Sequence, residues 1–244
     1  MMHGAAADVE REALEQWSNT VRRMASPLPG FEEVDLGSAT AVFGNVPFSL
    51  VNNIALRAQP PSLDSIRAFA SSRNVPWTLL APDFVRPDGL DPMFPLTYMA
   101  ADDILPAVRT LPDLEYQAID TPELAGLAWD INCDAYALPR ELGRTALSGP
   151  AMWERDATGF IAFLAGEPVS TASVVLTGNC RNVIMVATDP GHRRLGYAEA
   201  VMRRALEAAG QGRTVLHASE QGYPIYVRMG YQPLVRLTLW MSAH

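Results

Sequence analysis

The sequence predicts a mixed α/β protein, with a mostly antiparallel sheet flanked by helices and preceded by a smaller α/β domain. Three observations predict this class: strand and helix patterns alternate in the second half, three strands follow one another through tight turns, and a long amphipathic helix leads into another strand. The 244 residues suit two compact units, which we expect at residues 1–111 and 112–244.

Composition indicates an acidic globular protein. The chain is 48% hydrophobic and 19% charged, and its net charge of −8 argues against general nucleic-acid binding, because phosphates need a basic face. No signal-peptide pattern opens the sequence and no stretch approaches about 20 apolar residues, so we expect a cytoplasmic protein with no membrane partner. Cys133 and Cys180 lie far apart, which predicts neither a disulfide framework nor a zinc site.

The first half begins with a helix over 8–24, because Leu14, Val21 and Met24 recur on one face together with Trp17. A second helix over 62–71 starts at the N-cap Ser62. Strands are predicted at 33–36, 40–43, 53–57, 77–81 and 96–100, with a proline-rich loop over 82–95.

The second half opens with a strand over 114–119, and Thr121-Pro122 then starts a helix with a cap and a proline at its first position. A short helix begins at Pro139 and ends before Gly149. The later elements are strands at 159–165, 169–177 and 183–188, a helix from about 195, a strand at 214–219, a short helix at 223–229 and a last strand at 234–241. The stretches PLTYMAADD and RLTLWMSAH suggest a worn internal repeat, although chance similarity of two strands explains them nearly as well.

The helix near residue 195 has two distinct faces and a start suited to an anion. Its apolar stripe consists of Ala198, Val201, Met202, Ala205, Leu206 and Ala209, and Glu199, Arg203 and Glu207 are predicted to pair on the opposite face. Backbone N–H groups at a helix start lack partners and the dipole is positive there, so a pyrophosphate would bind. Gly196 and Ala198 leave the backbone open, and Arg193 and Arg194 add charge.

Two patterns in this half resemble a known family. The spacing Arg193-x-x-Gly196-x-Ala198, after a strand and before an amphipathic helix, resembles the acetyl-CoA motif R/Q-x-x-G-x-G/A of the GNAT superfamily of N-acetyltransferases. Tyr226 followed by Gly230-Tyr231 resembles the second block of that superfamily. The resemblance covers about residues 112–244. If the first half is a worn copy of the same GNAT-like fold, it has lost its cofactor site, since it has neither motif.

The resemblance implies acetyl-CoA as acyl donor, with no metal. It assigns the pyrophosphate to the loop Arg193, Arg194, Leu195, Gly196, Tyr197 and Ala198, and the pantetheine to the strand edge Met185, Val186 and Ala187. Ser219 is a further candidate contact, although a serine there also suits a cap of the next turn. Tyr226 is implied as the general acid that donates to the leaving sulfur, because a tyrosine with a pKa of about 10 stays protonated at neutral pH.

The general base is not assigned by the resemblance. Many members of the superfamily carry a glutamate on the strand before the motif, whereas here residues 182–186 read NVIMV. His217 and Glu220 are the candidates, acting directly or through water, although a lone histidine in a strand is more often structural. Asp134, Tyr136, Trp153 and Glu154 are open candidates for the acceptor side.

The sequence therefore predicts an N-acetyltransferase that transfers an acetyl group to a small-molecule amine by direct attack in a ternary complex. The acidic composition favours a cationic amine slightly. One alternative is a catalytically retired module that binds coenzyme A or serves in interactions. Another is an enzyme with a different acyl group or a protein acceptor. A homodimer stays open.

Overall fold

The computed structural model describes residues 2–57, 63–108, 113–141, 144 and 150–242. The chain forms two compact units, each built from segments that are not contiguous in sequence. The first contains Met1–Met99, His217–Tyr223 and Pro233–His244, and the second contains Ala100–Leu216 and Pro224–Gln232. The expected boundary at 111/112 lies outside the described residues and stays a prediction. The predicted N-cap Ser62 also lies outside the described residues.

The first unit is a sheet with a long helix against it. Its elements are α1 (Met2–Ala25), β1 (Glu32–Asp35), β2 (Ala39–Phe43), β3 (Asn52–Leu56), α2 (Asp64–Ser71), β4 (Thr78–Pro82), β5 (Leu90–Ala101) and β11 (Gln232–Ser242), with strand order β1-β2-β3-β4-β11-β5. Helix α1 packs on β2 and β3 through Leu14 and Val21, which are buried as its periodicity predicts. Strand β11 pairs antiparallel with β4, so that Leu239 lies opposite Leu80 in the core.

The predicted loop over 82–95 is wrong in its second part, because β5 begins at Leu90 and not near residue 96. Pro92 and Pro95 suggested a loop, yet both are exposed within this strand. Proline fixes φ near −65°, which an extended strand accepts where its missing N–H faces solvent. The first half of β5 was therefore not predicted, because its prolines indicated a loop.

The second unit contains an antiparallel meander with helices against it. Its elements are β6 (Glu115–Ala118), α3 (Pro122–Tyr136), β7 (Ala157–Leu164), β8 (Glu167–Thr177), β9 (Cys180–Thr188), α4 (Tyr197–Ala208), β10 (Thr214–Ala218) and α5 (Tyr223–Arg228), with strand order β10-β9-β8-β7-β6. Helix α3 packs on β8 and β9, and α4 packs on β7, β8 and β9. The predicted short helix from Pro139 falls largely outside the described residues. The predicted fold class, a mixed and mostly antiparallel sheet flanked by helices, is confirmed.

Strand β9 leaves the last part of one edge without a strand partner. Its parallel pairing with β10 covers only Arg181–Val183. On the β8 side the register shifts between Thr171 and Ser173, and Met185 opposite this bulge has a φ of 53°. A bulge re-aims the backbone groups beside it. Strand β10 therefore does not cover residues 185–187, of which Ala187 is paired with Thr171 on the β8 side.

In the part of the chain that the structure describes, no helix combines the length and the apolar character needed to cross a membrane.

Candidate functional site

The loop between β9 and α4 is shaped by its own side chains and by two residues with positive φ. Asp189 accepts a hydrogen bond from the Gly191 N–H at 2.9 Å, and its carboxylate lies 2.8 Å from Nδ1 of His192. The chain then passes through Arg194 (φ 66°) and Gly196 (φ 95°), and α4 begins directly after Gly196. Glycine adopts such a φ without strain, so Gly196 sets the sharp entry into the helix.

The backbone of this loop presents a row of free donors. No hydrogen bond is formed by the N–H groups of residues 194–198 to any residue that the structure describes. These donors lie at the N-terminus of α4, where the helix dipole adds partial positive charge. Gly196 and Ala198 are small, so an anion can approach the backbone there. Free amides at the start of a helix are a general phosphate-binding arrangement.

The two arginines of the loop have different environments. Nη2 of Arg193 donates to the Ala135 carbonyl at 2.6 Å, which fixes this side chain to the end of α3. Arg194 is exposed and forms no ion pair with the described residues. Arg194 is therefore the cation available to a ligand, and Arg193 holds the loop against α3. The sequence alone gave both arginines the same role.

Among the described residues, two side chains donate to carbonyls of the segment 185–187 of β9, and one of them is Ser170, whose Oγ donates to the Ala187 carbonyl at 2.7 Å. The hydroxyl of Tyr136 donates to the Val186 carbonyl at 3.1 Å. Tyr136 is half exposed and sits at the end of α3, where Ala137 ends the helix in a left-handed conformation. A carbonyl has two lone pairs, so Val186 keeps one for another donor. Met185 and Ala187 flank Val186 in the chain.

Tyr226 is a buried residue with a free hydroxyl. Its side chain is 7% exposed, and its ring packs edge-on against Tyr231 with centroids 5.9 Å apart. The hydroxyl forms no hydrogen bond to the described residues, whereas that of Tyr231 lies 2.9 Å from Oγ1 of Thr214. Burial, with smaller contributions from Tyr136 and Tyr231, raises the pKa of Tyr226 above its ordinary value. Tyr226 is therefore protonated at neutral pH.

His217 belongs to the first unit and is held there on several sides. Its Nε2 lies 2.9 Å from the Ala13 carbonyl, which makes this nitrogen the donor. Trp17 and Tyr98 pack against the imidazole with centroids at 5.2 and 5.1 Å. Burial lowers the pKa of His217 to about 4, and the bond to Ala13 opposes that shift. Only Nδ1 remains to accept a proton.

Ser219 and Glu220 follow the end of β10. Oγ of Ser219 accepts from the Gly222 N–H at 3.3 Å, and its carbonyl accepts from the N–H groups of Gly222 and Tyr223. Ser219 thus caps the turn before α5. Glu220 is exposed and has no ion pair with the described residues. It lines a cleft of about 390 Å³ in the first unit.

The other acceptor-side candidates have ordinary structural surroundings. Nε of Arg140 donates to Asp134 at 2.8 Å. Trp153 is buried, and its Nε1 donates to Oγ of Ser173 at 2.7 Å. Glu154 is exposed. Of the four candidates, only Tyr136 therefore reaches the edge of β9.

The predicted pairing of Glu199 with Arg203, opposite the apolar stripe of α4, is confirmed, but the burial of Glu199 was not predicted. The residue is 2% exposed, and its Oε1 accepts from Nε and Nη2 of Arg203 at 3.1 and 2.9 Å. Nη1 of Arg203 donates to the Leu105 carbonyl at 2.8 Å, and the Leu105 N–H donates to the Met229 carbonyl at 3.0 Å. Glu207, the other predicted partner of Arg203, pairs with Arg204. The Glu199–Arg203 pair follows from the i, i+4 spacing, whereas the contact of Arg203 with Leu105 joins residues distant in sequence.

Several solved structures of acetyltransferases have a similar fold. A GCN5-related N-acetyltransferase from Kribbella flavida is 17% identical, covers 95% of this chain and 96% of its own, and superposes with a TM-score of 0.67. A putative GNAT-family acetyltransferase from Novosphingobium aromaticivorans gives a TM-score of 0.57 at 16% identity, covering 87% of this chain and 91% of its own. A tandem GNAT protein from the clavulanic acid biosynthesis pathway gives 0.53 at 14% identity, covering 95% of this chain and 94% of its own. The fold is GNAT-like, and the likeness extends over the N-terminal half.

Residues 155–233 match the family model described as an acetyltransferase (GNAT) domain. The chain thus carries a GNAT acetyltransferase domain, and the recognition made from the two motifs is confirmed. The matched segment contains the loop, the edge of β9 and Tyr226. No curated protein matches the sequence.

Proposed function

We propose that the protein is an N-acetyltransferase that uses acetyl-CoA as donor and a small-molecule amine as acceptor, by direct attack in a ternary complex in the cytoplasm. The observation that carries this proposal is the row of free N–H groups at residues 194–198, at the start of α4 within the GNAT domain. Acetyl-CoA supplies an activated acetyl thioester and a pyrophosphate that these groups suit.

Different segments of the chain bind the pyrophosphate and the pantetheine of acetyl-CoA. The amides from Arg194 to Ala198 bind the pyrophosphate, and the exposed Arg194 guanidinium adds attraction. Met185, Val186 and Ala187 pair with the pantetheine amides along the uncovered edge of β9, as an added strand pairs with a sheet edge. Val186 can do so while it accepts from Tyr136, because its carbonyl has a second lone pair.

Tyr226 stabilises the leaving sulfur by hydrogen bonding. Burial raises its pKa, so the hydroxyl stays protonated throughout the reaction. A thiol of ordinary pKa near 8.5 is the stronger acid, so complete proton transfer from Tyr226 to the thiolate would be uphill. The hydroxyl therefore donates to sulfur as negative charge develops, and the proton that leaves nitrogen balances the thiol that forms.

Of the two candidate bases, Glu220 is the one whose carboxylate is exposed and has no ion pair with the described residues. His217 has one nitrogen committed to Ala13 and a pKa of about 4, so it would be a weak base even through Nδ1. Glu220 is exposed and free to meet an ammonium ion and to accept its proton through water. Ser219, which caps the turn before α5, contributes to positioning of this segment rather than to chemistry.

The testing experiment is calorimetric titration with acetyl-CoA, coenzyme A and ATP, with a matched glycine pair. We expect micromolar binding of acetyl-CoA and coenzyme A and much weaker binding of ATP. Gly196→Val should abolish binding, because a branched side chain at a φ of 95° both strains the turn and blocks the amides. Gly210→Val is the control, since Gly210 also has a positive φ (83°) but lies after the other end of α4.

Binding that survives in both glycine variants would contradict the loop assignment. Binding of acetyl-CoA without thiol release for any amine would favour the alternative, a GNAT-fold module without turnover. The absence of a carboxylate on β9 is the feature that keeps this alternative open.

A further inference from the structure

A second cleft lies wholly within the first unit and combines opposite charges. It measures about 390 Å³ and is lined by Pro95, Thr97, Ala218, Glu220, Tyr223, Pro233 and Arg236. These residues come from β5, from the end of β10 and the turn after it, from the first residue of α5, and from β11. One carboxylate, one guanidinium and one phenol ring therefore face a space that suits a small molecule.

The two charges in this cleft are not paired with each other. Glu220 forms no ion pair with any described residue, and Nε of Arg236 lies 3.6 Å from Oδ2 of Asp83. That pair is loose and exposed, since 71% of the Arg236 side chain is accessible. Asp83 also accepts from Oγ1 of Thr238 at 2.5 Å, which holds the carboxylate in place. Arg236 is thus oriented from one side and keeps its other donors for a ligand.

The cleft is also close in the chain to the proposed thiolate donor. Tyr223 lines the cleft and begins α5, and Tyr226 lies three residues further in the same helix. Glu220, on the same turn that leads into α5, is the only carboxylate among the residues that line the cleft.

We propose that this cleft binds the acceptor and that the acceptor is an amino acid, with its ammonium group at Glu220 and its carboxylate on Arg236. This inference rests on the proposed function and names its substrate class. After loss of a proton through Glu220, the amine nitrogen attacks the thioester carbonyl carbon, and an N–C bond forms while the C–S bond breaks. The sulfur leaves with the bonding electrons, the attacking nitrogen loses a second proton, and the thiolate takes up one proton to end as a thiol, so that the net proton released is the one that left through Glu220.

The first test compares amines that differ only in the carboxylate. Thiol release from acetyl-CoA is measured for each of the twenty common L-amino acids and for decarboxylated partners: tyramine for tyrosine, cadaverine for lysine and isopentylamine for leucine. We expect at least one amino acid to be acetylated, with kcat/KM at least tenfold above its decarboxylated partner. A preference for amines without a carboxylate, or no turnover of any amino acid while acetyl-CoA binds, overturns the proposal and leaves the proposed function intact.

Direct titration of the free protein with the same compounds separates the two hypotheses further. If acetyl-CoA does not bind, the proposed function fails, and calorimetry with the amino acids still decides whether the cleft recognises them. Saturable binding of an amino acid but not of its decarboxylated partner supports the cleft assignment. Equal binding of both members, or binding of neither, contradicts it.

Arg236 provides the discriminating variant. Arg236→Gln should raise KM for the amino acid at least tenfold, while the dissociation constant of acetyl-CoA and the slow turnover of the decarboxylated amine stay unchanged. A role limited to structure would alter both substrates equally. Arg228→Gln is the matched control, because Arg228 is exposed, donates to the Pro224 carbonyl within α5 and does not line the cleft. An equal effect of the two substitutions would overturn the assignment of Arg236.

Discussion

Tyr226 and Tyr231 of the second unit differ in whether the hydroxyl has a hydrogen-bond partner among the described residues. Tyr231 is satisfied by Thr214, and Tyr226 is not satisfied by any described residue. We expect Tyr226→Phe to lower kcat about a hundredfold and to leave the acetyl-CoA dissociation constant unchanged, because its hydroxyl acts when charge develops on sulfur. Steady-state kinetics and calorimetry measure both quantities. Tyr231→Phe should lower stability but not kcat selectively; equal kcat losses would remove Tyr226 from the mechanism.

Also at the residue scale, the shifted pKa of His217 predicts how the free energy of unfolding depends on pH. Its pKa is about 4 in the folded protein and about 6.5 when exposed, so the unfolded chain binds more protons between these values. The contribution of His217 to the free energy of unfolding should be fully present above pH 6.5. It should be lost as the pH decreases towards 4, which lowers the free energy of unfolding by at most about 3 kcal/mol. Urea denaturation at pH 7.5 and 5 measures the effect. His217→Gln should flatten the profile, and a profile unchanged by this substitution would contradict the assigned pKa.

Local sequence patterns located the loop before α4 and the short helix with Tyr226, but little of the environment of His217. Gly196, Arg194 and Tyr226 could be singled out because short spacings and a helix start define them, and their proposed roles stay predictions. The partner of His217 is the carbonyl of Ala13, 204 residues earlier in the chain, and no spacing indicates such a contact. The difference between Arg193 and Arg194 likewise depends on the distant end of α3.

Among the elements, α4 carries the ion pair of Glu199 with Arg203, whose burial its own sequence does not reveal. Arg203→Ala should lower the free energy of unfolding by about 2–4 kcal/mol, because the buried Glu199 carboxylate would lose its partner. Arg204→Ala should cost less than about 1 kcal/mol, since its pair with Glu207 is exposed. Urea denaturation compares the two variants.

The same helix allows a compensating change. Glu199→Leu combined with Arg203→Met should recover most of the lost stability, because an apolar pair can replace a buried ion pair at little cost. Similar losses for Arg203→Ala and Arg204→Ala would mean that the network with Leu105 contributes little.

Element types and their approximate limits were predictable, since the periods of helices and strands are local properties. The prolines of β5 made its predicted length too short, and the burial of Glu199 was not predicted. The residue that covers α4 at this point lies 98 positions before Arg203, so the periodicity of the helix could not report it. Periodicity finds the apolar face of a helix but not a polar face that another segment buries.

At the scale of the whole molecule, substitutions in β11 test whether this strand belongs to the core of the first unit. Leu239 is fully buried opposite Leu80 of β4, whereas Leu234 on the same strand is 42% exposed. Leu239→Ala should lower the free energy of unfolding by about 2–5 kcal/mol, and Leu234→Ala by less than about 1 kcal/mol. Limited proteolysis should also cut α1 faster in Leu239→Ala. Equal, small effects would show that β11 is not part of that core. The pattern of the last strand predicted its existence, but which unit it joins depends on long-range pairing.

The place of β11 has a consequence for synthesis on the ribosome. Residues 233–242 emerge after every residue of the second unit, yet they pair with β4 near the beginning of the chain. Domains that are contiguous in sequence can fold one after another as they emerge. Here the N-terminal sheet must wait with an unpaired strand edge until translation has passed residue 242, so its nascent form is exposed to chaperones and to aggregation for longer than its length alone implies.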